Sequence, residues 1–437
     1  MAATDGDRAI RDLHSLLEDT QWHRAEDNAR GQFGHLRLLL DHAGATVPFY
    51  RDRLTGLGGG QPLDADVWRR IPVMRRADIQ DAGDDLRCEK LPAAHGGTTK
   101  VRSSGSTGTP VTVIDTDHNH LFLRAFQLRF HVWFGRDFSH TMAHISRLTG
   151  ANVERAGRGE PVQWVPGHAS GPCYYFDIAR PAREQLDWLN RIKPQVLVTY
   201  PSNLAHLISQ SRELSIGLPF LSEVCTMSEV LAAETRDDCE QAWGVKVSDT
   251  YSAQEAGIIA LQCPQSGLYH VMSEGVLVEV LDDADQPCAA GRVGRVVVTA
   301  LHNFAMPLIR YEIGDYAEAG PPCPCGRGLP TLKRVLGRVR NMLVRPDGEK
   351  IWPSFGSRGL TDIAPIRQHQ IVQTKRDHLE ARLVTDRPLS NDEEARLGAH
   401  ILTRFPDGLS VSFVYPDAIG RGPGGKFEDF TSEVDAG

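Results

Sequence analysis

Gln195-Val196-Leu197-Val198-Thr199-Tyr200 is the stretch that decides the fold. It sets apolar and β-branched residues side by side with no alternation, which is the pattern of a strand buried on both faces. Helical patterns flank it, Pro181–Ile192 before and Ser202–Leu214 after. The same rhythm continues with strand Glu223–Met227, helix Glu229–Trp243 and strand Val245–Tyr251. Helices alternating with apolar strands predict a parallel α/β sheet.

Further along the chain the texture changes. From Gly267 to Leu301, segments Val276–Leu281 and Gly294–Thr299 flank a polar, glycine-containing turn and read as antiparallel strands. A break falls near Gly337–Asn341. Beyond it, Ile366–Thr374, Leu379–Val384, Asn391–Phe405 and Leu409–Tyr415 read as strand, strand, helix, strand. Toward the N-terminus, Leu36, Leu39, Leu40 and Ala43 follow helical spacing until Pro48. Gly56–Gln61 reads as a loop, and short polar helices surround Ile71-Pro72. A Gly/Ser/Thr stretch, Gly96–Pro110, leads into a short strand, Val111–Ile114. The expected architecture is α/β: a large N-terminal domain, 1–338, with parallel sheets and an antiparallel β subdomain, then a small mobile α+β domain, 339–437.

Composition narrows the class. At 437 residues, 41% apolar and 24% charged, the chain is neither disordered nor fibrous, and it exceeds one ordinary core. Its net charge is −8 and no long basic run offsets that, which argues against a nucleic-acid groove. No apolar run approaches a membrane span, and Met1–Arg8 lacks the apolar core of a secretory signal. A cytoplasmic location follows as the expectation. Reduced thiols there make clustered Cys a metal signal rather than a disulfide signal.

Four segments could carry nucleotide chemistry. Ser103-Ser104-Gly105-Ser106-Thr107-Gly108-Thr109-Pro110 offers backbone N–H groups and hydroxyls suited to phosphate oxygens, without the lysine of a Walker loop. Taken alone it also reads as a surface linker. Tyr251-Ser252-Ala253-Gln254-Glu255 places a carboxylate just past a strand end, where a ligand or Mg²⁺ could meet it; a solvated loop Glu is the plain alternative. Met306–Asp315 ends in Gly314-Asp315, an acid that could accept two ribose hydroxyl bonds or cap its own turn. Gly420–Lys426 spells G-x-G-x-x-G, but Pro423 and the short remaining tail exclude a dinucleotide βαβ unit. What remains is a mobile glycine loop presenting Lys426, or a disordered tail.

A Cys/His set stands apart. Cys263 and His270 are followed, about fifty residues on, by Cys323-Pro324-Cys325-Gly326. Three thiolates and one imidazole match a closed tetrahedral Zn²⁺ site. Cys88, Cys173, Cys225, Cys239 and Cys288 have no such grouping and read as packing residues, as do the aromatics of Phe122–Phe134. His118, His120, His140 and His144 show no ligand spacing.

In this order, the Ser/Thr/Gly loop, Y-x-x-x-E, R-Y-x-x-G-D, G-R and a late G-K resemble the adenylate-forming (acyl-activating) superfamily. The branch they look most like is the phenylacetate–coenzyme A ligase family. Val47-Pro48-Phe49-Tyr50-Arg51, Ile71-Pro72-Val73-Met74, Met306–Asp315 and the Cys263/His270/Cys323/Cys325 segments are similar to that family's. The resemblance implies that Ser103, Ser104, Gly105, Ser106, Thr107 and Gly108 hold the ATP phosphates. It puts Ser228 and Glu229 beside the adenine with Tyr251, Asp315 on the ribose and Arg338 before the hinge. Glu255 would bind Mg²⁺, and Lys426 would reach the reacting carboxylate and the α-phosphate.

The implied activity is a two-step ligase. A carboxylic acid, aromatic by resemblance, is converted by ATP into an acyl-adenylate, and coenzyme A then displaces AMP. Tyr200 is a candidate wall of the acid pocket or a core residue. Two features depart from the family. The hinge reads Val339-Arg340-Asn341, and the glycine loop after it is replaced by Arg345–Lys350. They keep open an amine or hydroxyl acceptor, giving an amide or ester without coenzyme A. A non-catalytic nucleotide- or zinc-binding module is the other rival. The expected partners are small molecules, with neither nucleic acid nor membrane, and homodimerisation stays open.

Overall fold

Val196, Leu197 and Thr199 are all buried, as a strand covered by helices on both faces requires. The computed structural model describes residues 4–57, 63–102, 111–353, 359–405, 407–422 and 425–434. These fall into two compact units. One comprises Met1–His140, Val162–Pro172 and Asp249–Val335; the other comprises Thr141–Pro161, Cys173–Ser248 and Leu336–Gly437.

The second unit holds the parallel sheet. Strand Val196–Thr199 lies between Glu223–Met227 and Met142–Ser146, and Met142–Ser146 also pairs with residues 173–177, all parallel. Helices Ala182–Ile192, Pro201–Glu213 and Ala233–Trp243 cover it. Leu186, Leu189, Leu204 and Leu207 pack with Leu197 and Val224 in one core. Each fully buried leucine contributes about 1.5–3 kcal/mol before entropy is counted. The same unit contains a four-stranded sheet in the order Ser410–Val414, His378–Thr385, Ile366–Lys375, Phe430–Ser432. Helix Asn391–Leu402 packs its Leu397 and Ile401 into that sheet's core. It is launched by Ser390, whose hydroxyl accepts from the Glu393 amide while Glu393 bonds back, a capping box.

The first unit joins helices Asp5–Thr20, Ala25–Thr46 and Asp117–Trp133 to antiparallel strands. Val276–Leu281, Val293–Ala300 and Tyr311–Ala319 form a meander. Tyr269–Val271 pairs with Gly257–Gln262 on one side and with Thr331 and Leu332 on the other. Leu36, Leu39, Leu40 and Ala43 are all buried, as their spacing predicts. No helix among the described residues is long and apolar enough to cross a membrane.

Three differences from the sequence reading have physical causes. Helix Ala233–Trp243 starts four residues later than expected, because Ser228 sits at a positive φ of 73° and breaks the turn before it. A strand, Thr98–Arg102, lies inside the Gly/Ser/Thr stretch and pairs with Thr112–Thr116. As half of a two-stranded ribbon exposed on most of its length, it carries no apolar signal. Phe430–Ser432, parallel to Ile371–Gln373, is only three residues long and left no periodicity to read.

Candidate active site

In the first unit the motif segments build one another. The Tyr50 hydroxyl donates to the Pro307 carbonyl (2.9 Å) and accepts from the Ile309 amide (3.1 Å). The Met74 amide donates to the Arg310 carbonyl and the Glu312 amide to the Met74 carbonyl, both at 2.8 Å. Arg310, buried and at a positive φ of 51°, forks onto both Glu279 oxygens at 3.0 Å. Its Nη1 also donates to the Ile71 carbonyl at 2.6 Å. The V-P-F-Y-R, I-P-V-M and R-Y segments therefore form a scaffold for the strand that carries Asp315. Gly314, at φ 86°, makes the turn of backbone that an L side chain would resist.

Asp315 meets Tyr251 from the neighbouring segment. The Tyr251 hydroxyl donates to Asp315 Oδ2 at 2.8 Å. Glu255 follows in the turn between strands Lys246–Ala253 and Gly257–Gln262. It is buried, and no hydrogen bond or ion pair among the described residues occupies its carboxylate. A buried carboxylate in that state is an oxygen ligand suited to a hard cation such as Mg²⁺. Ser103–Pro110, expected to hold phosphate, lies outside the described residues.

The four expected metal ligands converge in the same unit. The ligating atoms of Cys263, His270, Cys323 and Cys325 lie within 4.8 Å of one another. Cys323 Sγ and Cys263 Sγ are 3.8 Å apart, and Cys325 Sγ and His270 Nε2 are 3.3 Å apart. Three thiols and one imidazole converging this way have the donor chemistry of a closed tetrahedral Zn²⁺ site. Burial, aided by the Arg327 charge, lowers the His270 pKa to about 4 and keeps the imidazole neutral, as a ligand must be. Arg327 also donates to Gln21 Oε1 at 2.8 Å, which ties the Cys segment to the end of the first helix.

The second unit carries the other expected residues. Tyr200 precedes helix Pro201–Glu213, is buried in the unit's core, and has its phenol pKa raised by that burial. Ser228 occupies the strained turn after strand Glu223–Met227. The Glu229 carboxylate accepts from the Ser202 amide at 2.9 Å and from the Phe427 amide at 2.7 Å. Burial pushes its pKa up, against the pull of those two bonds. The Arg338 amide donates to Asn341 Oδ1 at 3.3 Å, and Asn341 Nδ2 donates to the Phe430 carbonyl at 2.8 Å. Arg340 pairs with Glu428 at 2.6 Å. The atypical hinge residues thus bond directly to the segment that carries Lys426. In the segment read as a glycine loop, the Gly422 N–H donates to the Lys426 carbonyl at 2.8 Å.

Sequence reasoning missed a histidine cluster in the first unit. His302 stacks on Phe122 at 3.7 Å, with His35 and His118 within 5.5 Å, and His95 lies 4.9 Å from His118. These residues come from four separate segments, so no local spacing announces them.

No protein-family model matches the chain. Two curated relatives are phenylacetate–coenzyme A ligases. That of Thermus thermophilus is 25% identical over 78% of this chain and 77% of its own length. That of Escherichia coli is 23% identical over 80% of each. Among solved structures, 2-hydroxyisobutyryl-CoA ligase in the postadenylation state aligns with a TM-score of 0.75 at 21% identity, over 95% of this chain and 91% of that one. These likenesses support the adenylate-forming superfamily, with the chain similar to the phenylacetate–coenzyme A ligases over more than three-quarters of its length.

Proposed function

We propose that the chain is an AMP-forming acid–thiol ligase acting on a carboxylic acid, aryl by similarity to the phenylacetate ligases, with coenzyme A as acceptor. The observation that carries this reading is the Tyr251–Asp315 hydrogen bond in the same unit as a buried Glu255 whose carboxylate no bond among the described residues engages. It gives one unit both a hydroxyl-binding carboxylate and a cation-binding carboxylate. Asp315 takes the ribose hydroxyls, Tyr251 fixes Asp315 and lines the adenine side, and the 103–108 loop takes the phosphates. Glu255 holds Mg²⁺, which supplies charge neutralisation at the phosphates. The acid's carboxylate oxygen attacks the α-phosphorus in line and pyrophosphate leaves. Lys426 faces the negative charge that grows on the α-phosphate, where one well-placed cation is worth about 3–4 kcal/mol. A thiol then attacks the acyl carbon and AMP leaves. Residues 339–437 are the piece that moves between the steps, pivoting near Gly337 at φ 89°. Cys263, His270, Cys323 and Cys325 hold a structural Zn²⁺: four protein ligands leave no open position for water.

Acid-dependent exchange of labelled pyrophosphate into ATP, run over a panel of aryl and hydroxy acids, tests the first step. Thioester against hydroxamate formation identifies the acceptor. Exchange without thioester, together with amide or ester product, would replace coenzyme A by an amine or hydroxyl.

A further inference from the structure

The Lys426 loop is tied down on both sides of the lysine. On its C-terminal side the Phe427 amide donates to Glu229 Oε1 at 2.7 Å. On its N-terminal side the Gly425 carbonyl accepts from Arg421 Nη1 at 3.1 Å. Both ties lead to the same anchor. The other Glu229 oxygen accepts from the Ser202 amide in the first turn of helix Pro201–Glu213, and Arg421 Nη1 also donates to Ser202 Oγ at 2.9 Å. Arg421 lies 4.0 Å from Glu229, whose side chain is only 7% exposed. Gly425 sits at φ 75°, and a Cβ there would meet Arg147 Cβ at 2.9 Å, so the loop passes too close for any larger residue. Around this anchor the backbone closes on itself, Gly425 N–H to Gly422 carbonyl and Gly422 N–H to Lys426 carbonyl, both at 2.8 Å.

The two backbone bonds to Glu229 come from distant segments, the helix at Ser202 and the tail at Phe427. A buried carboxylate placed only to satisfy the helix N-terminus would need the Ser202 amide alone. Its second bond goes to the peptide unit that follows the lysine.

We propose that Glu229 and Arg421 are positioning residues: a latch that fixes the Lys426 backbone for acyl-adenylate formation and must open before the thiol step. This deepens the proposed function and rests on it. Charge-assisted bonds of this kind are roughly twice as strong as neutral ones, yet two of them can open on the turnover timescale. A helix-capping role alone would lower stability and slow both half-reactions alike. A latch separates them.

The experiment uses the full chain and the variants E229A, E229Q and R421A. Hydrogen exchange of residues 425–430 is read first, because it needs no substrate. In each variant the latch requires the Phe427 amide to exchange at least about tenfold faster while the strands of the parallel sheet stay protected. Unchanged protection at Phe427 overturns the latch whatever the enzyme acts on. Half-reactions are read second, with phenylacetate and phenylacetyl-adenylate as probes. Pyrophosphate exchange should fall about 10- to 100-fold in R421A, with thioester formation from supplied acyl-adenylate within about threefold of wild type. Equal losses in both steps would make the Glu229–Arg421 anchor merely structural. E229Q, which keeps the side-chain shape and can accept only one of the two amides, covers the case in which E229A does not fold. Failure of wild-type exchange with every acid would instead remove the ligase reading, and the Phe427 exchange result would stand by itself.

Discussion

The Tyr251 hydroxyl reaches Asp315 Oδ2 at 2.8 Å, joining a residue near the end of one strand to a residue that follows the positive-φ Gly314 on another. That bond fixes which way the Asp315 carboxylate faces. Tyr251→Phe should leave the fold intact and raise the KM for ATP several-fold with a smaller change in kcat. Asp315→Ala should cost more, about 2–3 kcal/mol in kcat/KM for ATP, as expected when bonds to a charged acceptor are lost. Steady-state kinetics on both variants decides it: ATP kinetics unchanged in Asp315→Ala would take the ribose off this residue.

The zinc assignment makes a stability prediction. A metal clip between Cys263 and Cys323 closes a loop of about 60 residues and so removes unfolded-state entropy. Cys323→Ser should lower zinc content and Tm together, and activity should be lost through unfolding rather than through a change in KM. Elemental analysis of protein purified without added metal is the check. Zinc retained in a Cys263→Ser/Cys323→Ser double variant contradicts the site.

The histidine cluster makes a pH prediction. Burial, reinforced by neighbours His35, His118 and His95, outweighs the bond to the Glu274 carbonyl and lowers the His302 pKa to about 3. Burial alone brings His144 and His369 to about 4. Their unfolded values lie near 6.5, so below that pH the unfolded chain binds protons that the folded chain refuses. Stability should therefore be full above about pH 6.5 and fall steadily as pH drops toward 4. Thermal melts across that range should show the slope, and His302→Phe should make it shallower. A Tm independent of pH from 7 to 4 contradicts this.

What the sequence disclosed follows from how locally each feature is encoded. Val196–Thr199 and Glu223–Met227 were legible because buried parallel strands are continuous apolar runs, and the helices between them carry their own periodicity. Met142–Ser146 and residues 173–177 carry His, Ser, Tyr and Cys among their apolar residues, and their place in the same sheet is set by pairing rather than by pattern. Tyr251, Asp315 and Glu255 could be named from motif order, but their mutual geometry could not. The Arg310–Glu279 fork, the Tyr50 hydroxyl and the Met74 backbone set it, through contacts spanning 31 to 259 positions. Glu229 shows the limit most plainly. Its segment could be named from the motif order, but the two backbone amides its carboxylate accepts from, Ser202 and Phe427, lie in segments that no local spacing connects.

In the proposed reaction the chain makes an acyl-adenylate with Lys426 facing the reacting phosphate. Acid-dependent exchange of labelled pyrophosphate into ATP measures that step without reference to the acceptor. Exchange is expected with at least one aryl or hydroxy acid in Mg²⁺, falling about 10²–10³-fold in a folded Lys426→Ala variant. Exchange at the wild-type rate in Lys426→Ala, or none with any acid in the intact protein, would contradict it.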